Sequence, residues 1–597
     1  MRGPRAGLLL VLAFALCGCS SSASTPGTST GSSPDQQTPS LAASAAAAVQ
    51  LTNTTYVATP AAKTGGALVL GAWEYPDTIN PYYAGHEYDV EVASSMFDGL
   101  VKVTPDLRYM PDLASNVPTI ANGGVVLTAS GMDVTWQLKP GMEWSDGLPI
   151  SCDDVKATWS WNMDPANTGL VGGTVGWEDI SGVDGGAGTT CVIHFSKVYE
   201  GYLGLVSALL PAHYMATVPV KDAPTKLYPM ADLASGVYSG PYIPTSASRS
   251  AGIVLKANPG YAAIGGHAPS LATVTWKYYA DSTAMIAGYV AGQYDLGQDL
   301  NEGDIPSLAT VDPAQLAVRD SLTYELQAFN NNSFQAKFGT DALPIIEAVK
   351  LATDRMAIAN GPLAGNVSVA NDFVSPLAWF FKNIAGSTAA DPTSAATLLA
   401  NAGWAKNADG YLTKAGTLLE LSYCTTNRQV RVDTLKFVAS QLKAIGIKVD
   451  VNAKASTDVF APWGGADATT ACNLAHGNFD VAEFSYVSPV DPLAGYNVYV
   501  STRTPAGTAA HDGQNFTGIS LPALDAAYAS VRGTADQGVV RDAMYQVQDI
   551  YGSDRNTYEL PLYFRRNVWL VGPRVHNFAG GPTAAGAEWN IGDWWAG

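Results

Sequence analysis

Little in this sequence is charged, and little in it points to catalysis. Only 14% of its 597 residues are Asp, Glu, Lys or Arg, and the minority is lopsided, 52 acids against 33 bases. A formal net charge of −19 repels nucleic acid and anionic lipid, so no nucleic-acid partner is expected. No GK[ST] closes a Gly-rich loop, which excludes a P-loop, and no strand-to-helix turn carries a G-x-S-x-G elbow. C-x-x-C is absent. The seven histidines are scattered, with no pair at helical or ribbon spacing for a metal. His86-Glu87 opens like the zinc motif H-E-x-x-H, but Val90 stands where the second histidine is needed. Asn407-Ala408-Asp409-Gly410 resembles the middle of a calcium loop, yet Ala405 holds the first ligand position and the twelfth has no Glu, so a hairpin turn is expected. No catalytic set, metal site or cofactor is expected, and the chain reads as no enzyme.

Long apolar runs are missing too. The one unbroken run, Leu8 to Leu16, is far short of the roughly 20 residues that span a bilayer, and it follows Arg2 and Arg5. A basic start, a short apolar core and then small residues is the order of a secretory signal. Leu16-Cys17-Gly18-Cys19 resembles the bacterial lipobox, which implies a signal peptide over 1–18, lipidation of Cys19 and loss of Cys17. The chain is therefore expected to be exported and lipid-anchored on the outer face of the cytoplasmic membrane. Residues 19–65, poor in large apolar side chains, read as a disordered Ser, Thr, Pro and Ala tether.

Four cysteines are left for the folded part: Cys152, Cys191, Cys424 and Cys472. In an exported chain an even count suggests disulfides. Cys152 with Cys191 and Cys424 with Cys472 is the favoured pairing, since each closes a loop of roughly 40 to 50 residues, worth nominally about 4 kcal/mol.

Along the chain, Ala67 to Ala72 reads as a buried strand running into the loop Tyr75 to Tyr83, a common place for ligand contacts. Val134 to Leu138 alternates as a strand, and Ser151 with Asp154 resembles a capping box opening the next helix. Helical spacing recurs over Asp341 to Ala359, Thr393 to Ala402 and Val430 to Ile445, and Ile447 to Val451 follows as a strand. Helices alternating with strands argue for α/β lobes with mainly parallel pairing.

Taken together, "WQLKPGMEWSDGLPISCDDVKATWSW", "GPYIP…LKANPGY", "VTWKYYADSTAMIAGYVAGQYDL", "ATLLANAGW", "LKAIGIKVDV", "DVAEFSYVSPVDP" and "ELPLYFRRNVWLV" resemble, in order, the family 5 extracellular solute-binding proteins of ABC transporters. The resemblance covers about residues 66 to 580. It implies a two-lobed periplasmic-binding-protein-like α/β fold (type II, cluster C) with an extra subdomain inserted in the first lobe. By analogy the first lobe is 66–84, 203–299 and 557–597, the insert 85–202, and the second lobe 300–556.

The same resemblance implies a ligand, most simply a peptide, held between the lobes of a monomer and handed to an ABC permease. Oligosaccharide or a metal chelate are the other ligands of that fold, and an exported hydrolase or a surface sensor or adhesion protein is the alternative of another class. The family pattern places ligand contacts on Gly85, His86, Glu87 and Tyr88 from one lobe and Phe484, Ser485, Tyr486, Val487 and Ser488 from the other, just before Asp491. Tyr83, Trp177 and Trp463 would add aromatic walls. In peptide-binding members an aspartate at the position of Ser488 commonly pairs with the peptide ammonium. A hydroxyl cannot neutralise that charge, so Glu483, Asp491 or Glu87 would have to substitute.

Overall fold

The computed structural model describes residues 51–597 except 385, 387, 388, 489 and 554–557, so the expected leader, Cys19 and the first part of the tether lie outside the described residues. The first expected strand forms as β1 (Ala67–Ala72), with Leu68 and Leu70 fully buried. After helix α1 (Glu87–Ser94) the chain builds an inserted body on an antiparallel sheet of β2 (Val125–Leu127), β3 (Met132–Gln137), β4 (Ile180–Asp184) and β5 (Thr190–Phe195), in the order β2-β3-β5-β4. Along β3, Met132, Val134 and Trp136 face inward, as period-2 alternation requires.

Helix α2 (Cys152–Asn162) starts at the expected capping box, where Asp154 accepts the Ser151 N–H at 2.9 Å. The Asp154 carboxylate also accepts from the Ala212 N–H at 2.9 Å and faces the Trp144 indole N–H at 3.4 Å. Asp154→Ala leaves these donors unpaired and is expected to lower stability by about 2 kcal/mol, read from a urea midpoint at unchanged slope. A disulfide joins Cys152 to Cys191 on β5, with the Cα atoms 5.3 Å apart.

Back in the first lobe, β6 (Tyr242–Ser248), β7 (Gly252–Ala257) and β8 (Thr273–Tyr278) form a meander, and α3 (Ser282–Val290) leads to β9 (Leu296–Leu300). The chain then crosses over on β10 (Leu316–Phe329). The second lobe contains α4 (Ala342–Ala352), α5 (Arg355–Asn360), α6 (Pro392–Asn401), β11 (Glu420–Thr426), α7 (Gln429–Ala444), β12 (Lys448–Lys454), β13 (Val481–Val487), α8 (Pro522–Arg532) and α9 (Gln537–Ser553). A second disulfide ties Cys424 on β11 to Cys472. The chain returns on β14 (Glu559–Val571).

All the strands named outside the insert join one eleven-stranded sheet, in the order β12-β11-β13-β10-β14-β9-β1-β8-β7-β6, with Ser368–Val369 also paired to β14. Among the described residues, parallel pairing is confined to β1 with β8 and β9 and to β11 with β12 and β13. The expectation of mainly parallel pairing is corrected here. The β6-β7-β8 meander and the two crossing strands, which carry the chain out and back, are necessarily antiparallel.

Two further differences have local causes. The helical stretch expected over Asp341 to Ala359 breaks at Thr353, because Asp354 turns out to cap a new helix, its carboxylate accepting from the Ala357 N–H at 2.9 Å. The end of the expected tether lies against the body: Leu51 is buried, Tyr56 donates to Asp593 at 2.7 Å and its ring meets Trp589 edge-on at 4.6 Å. Its few apolar side chains are enough to dock this strap, with Thr54 and Thr55 bonded to Asp106. Asn407 to Gly410 forms the expected turn between two short strands.

One apolar core fills the first lobe around Leu70, Trp276 and Trp594. A second runs without a break from the insert, with Trp136, Ile193 and Phe195, into the second lobe, with Leu326, Phe484 and Leu493.

Candidate functional site

Strands β11 and β1 both end at the gap between the lobes, and the loops that follow them face each other across it. In open α/β sheets, crevices form beyond the carboxyl ends of parallel strands. Here the crevice is a cavity of about 800 Å³, within the ordinary range for small-molecule sites. One wall holds Trp73, Glu74, Gly85, His86, Glu87 and Tyr88, and the facing wall holds Thr426, Arg428, Arg431, Phe460, Ser485 and Val487. Arg565 and Trp569 on β14 line the cavity with Thr323 on β10.

Several contacts span this gap. Glu87 accepts from the Thr323 hydroxyl at 2.5 Å and faces the Arg565 guanidinium at 3.3 Å. Burial opposes the Glu87 charge, but Arg565 and the Thr323 bond outweigh it and hold the carboxyl below its usual range. His86 stacks on Tyr88 at 4.8 Å and meets Phe460 of the second lobe edge-on at 5.5 Å. Burial would discharge the imidazole, yet Asp89, at 3.2 Å, and Asp77 raise its affinity for a proton.

The three cleft arginines differ in what they are given. Arg431 is buried and grips Glu325 with two nitrogens, at 2.6 and 3.3 Å, while also donating to Ser485 at 2.8 Å. Arg565 lies between Glu87 and Glu302, the latter at 3.8 Å. Arg428, at the start of α7, makes no ion pair among the described residues, and its guanidinium lies 5.7 Å from the Trp73 ring centre of the opposite lobe. Opposite in charge, Glu74 also lines the cavity and makes no ion pair among the described residues.

Of the residues expected at the site, Gly85, His86, Glu87, Tyr88, Ser485 and Val487 line the cavity. Phe484, Tyr486 and Ser488 are corrected: they point to the other side of the sheet, because neighbouring strand residues alternate in facing and 485 and 487 take the cleft side. Phe484 is buried against Tyr486 and Phe516, Tyr486 donates to the Gln514 carbonyl at 3.0 Å, and the Ser488 hydroxyl accepts the Ser375 N–H at 2.9 Å. Tyr83, Trp177, Trp463 and Asp491 are likewise off the cleft. Tyr83 bonds Asn167 at 2.5 Å, and Trp177 is buried beside Tyr82. Trp463 stacks on His511 at 4.6 Å, and Asp491 caps the turn at Leu493. Glu483 is fully buried, bonded by Tyr423 at 3.0 Å, so of the carboxylates considered for an ammonium only Glu87 reaches the cavity.

Sequence reasoning missed Trp73, Glu74, Thr426, Arg428, Arg431, Phe460 and Arg565. A signal was present for five of these. Trp73 and Glu74 follow the end of β1, and Thr426 to Arg431 spans the turn from a buried parallel strand into a long helix.

The model of the bacterial extracellular solute-binding proteins, family 5 Middle, matches residues 108–506. The oligopeptide-binding protein AppA of Bacillus subtilis is 28% identical over 400 residues, 64% of this chain and 68% of that protein. OppA of Mycobacterium tuberculosis, also an oligopeptide-binding protein, is 25% identical over 590 residues, 95% of this chain and 90% of that one. Among solved structures, AppA in complex with a nonapeptide superposes with a TM-score of 0.75 at 22% identity, covering 90% of this chain and 100% of that one. NikZ of Campylobacter jejuni in complex with Ni(L-His) gives 0.73 at 21%, covering 89% and 99%.

Proposed function

Because this chain belongs to the bacterial extracellular solute-binding proteins of family 5, we propose that its cleft captures a peptide and delivers it to the permease of an ABC importer. The observation that carries the peptide reading is the pairing state of the cleft charges. Arg431 and Arg565 are committed to protein carboxylates, and Arg428 is left over beside Trp73. A ligand carboxylate fits there, as a charge-assisted bond backed by the N–H groups that open α7. Glu74 on the facing wall suits the ammonium for which Ser488 supplies nothing. Extended peptide backbone would lie along Ser485 and Val487.

Closure follows from ligand bridging the walls, since only a ligand that touches both favours the closed state. The body acts as a monomer tethered outside the membrane through Cys19, and the transporter's own ATPase supplies the energy. Among the described residues no helix is long and apolar enough to cross a membrane.

Calorimetric titration with a tri- to pentapeptide library, each peptide as free acid and as C-terminal amide, tests this. Wild type should favour the free acid by about tenfold or more, the worth of one charged hydrogen bond, and Arg428→Gln should erase the difference. Binding of oligosaccharides but of no peptide would remove the peptide reading.

A further inference from the structure

The insert does more than decorate the first lobe: it is stitched to the second. Gln514 donates to the Val171 carbonyl at 2.7 Å, and the Thr174 N–H to Asp512 at 3.1 Å. Arg503 and Arg532 both lie over the Tyr496 ring, 5.2 and 5.1 Å from its centre, and both reach Glu178, at 2.9 and 2.5 Å. Arg532 also holds Asp179 at 2.7 Å, which Lys197 approaches at 3.4 Å. Beside these ion pairs the turn at Glu200–Leu203, where the insert returns to the first lobe, packs on the turn at Pro492–Gly495 of the second lobe.

Two acids meet at that inner contact. A Cβ at Gly201 would run into the Asp491 carboxylate, so only glycine lets the turns approach this closely. Glu200 is buried, with one oxygen 3.4 Å from the Gln537 amide and the other without a partner among the described residues. The groups that bear on this pair are Tyr109, Tyr199 and Tyr202 from the insert and Gln537 and the Leu493 N–H from the second lobe. Arg503 and Arg532 of the same seam are engaged by Glu178 and Asp179, and among the described residues no cation forms an ion pair with Glu200 or Asp491. Two carboxylates enclosed without a cation cannot both ionise cheaply.

We propose that this seam is a proton-controlled clasp: with a proton held between Glu200 and Asp491 the insert and second lobe stay docked, and with both ionised they part and the cleft opens. The tendency of each group agrees. Burial and then Asp491 push Glu200 well above the usual carboxylate range, and burial pushes Asp491 up to about 6. For a group raised in the docked state, docking is strongest in acid and is lost as pH rises through that value.

The inference rests on the two-lobed binding reading only in supposing that the lobes part, and its test needs no ligand. Small-angle scattering of the ligand-free full chain is followed from pH 5 to 9 at fixed ionic strength. Wild type should be compact in acid and expand with a midpoint above the value near 6 at which Asp491 ionises, because the clasp is lost only with the second proton. Asp491→Asn, which can still cap Leu493, and Glu200→Gln should stay compact throughout. A radius of gyration of wild type that is flat across the range, or that rises in acid, overturns the clasp, as does an unchanged midpoint in either variant. If neither variant folds, the wild-type curve alone decides.

Discussion

Arg431→Met is expected to lower folding stability by about 3–5 kcal/mol, the cost of leaving a buried charge without its partner. Arg431 is buried and fork-bonded to Glu325, with Thr426 and Ser485 accepting two more of its N–H groups at 3.1 and 2.8 Å. Beside it lies Glu483, whose carboxyl is pushed well up by burial and by the charge of Glu325. Methionine fills similar space but cancels nothing, so one or both acids must be protonated or the wall must rearrange. Protonation relieves the deficit in acid, so chemical denaturation at pH 5 should show a smaller loss than at pH 8. A loss under 1 kcal/mol at both would mean that Arg431 serves a ligand rather than the fold.

Replacing both Cys424 and Cys472 by alanine is expected to cost about 2–4 kcal/mol, since the bond closes a loop whose ends are 48 residues apart. Native geometry adds to this. Cys472 has φ of +66°, a left-handed backbone that a non-glycine residue adopts only where the surroundings impose it. Its N–H is bonded to the Asn478 carbonyl at 3.1 Å, so the disulfide and this turn fix each other. Guanidinium unfolding with and without reductant measures the effect. A variant as stable as wild type, and equally insensitive to reductant, would show that the loop is held by packing alone.

What could be read in the sequence was whatever neighbours along the chain decide. The bounds of β1, the box at Ser151 and Asp154, the turn at Asn407 to Gly410 and α7 are set by residues within a few positions. The pairing Cys152 with Cys191 and Cys424 with Cys472 followed from loop length. The site was half legible. A pattern along a strand says which segment reaches the cleft, but whether 485 and 487 or 484, 486 and 488 face it depends on which side the helices cover, and that is settled by the whole sheet. Arg428 was invisible for another reason: an arginine is singular only once the carboxylates that satisfy its neighbours are known. The shared core of insert and second lobe, which makes the seam, is likewise a property of packing between segments some 300 residues apart in sequence.

The place of β14 in the sheet bears on how such a chain is made. It sits between β10 and β9, at the middle of the sheet, yet begins only at Glu559. Until those last residues emerge from the synthesis or export machinery, β9 and β10 have no strand between them and the two halves of the sheet are separate. The earlier part can gather its local hairpins and helices, but the non-local pairing that unites them is deferred to the end. In a chain built this way the two halves of the sheet become one body only when its C-terminal residues have joined them.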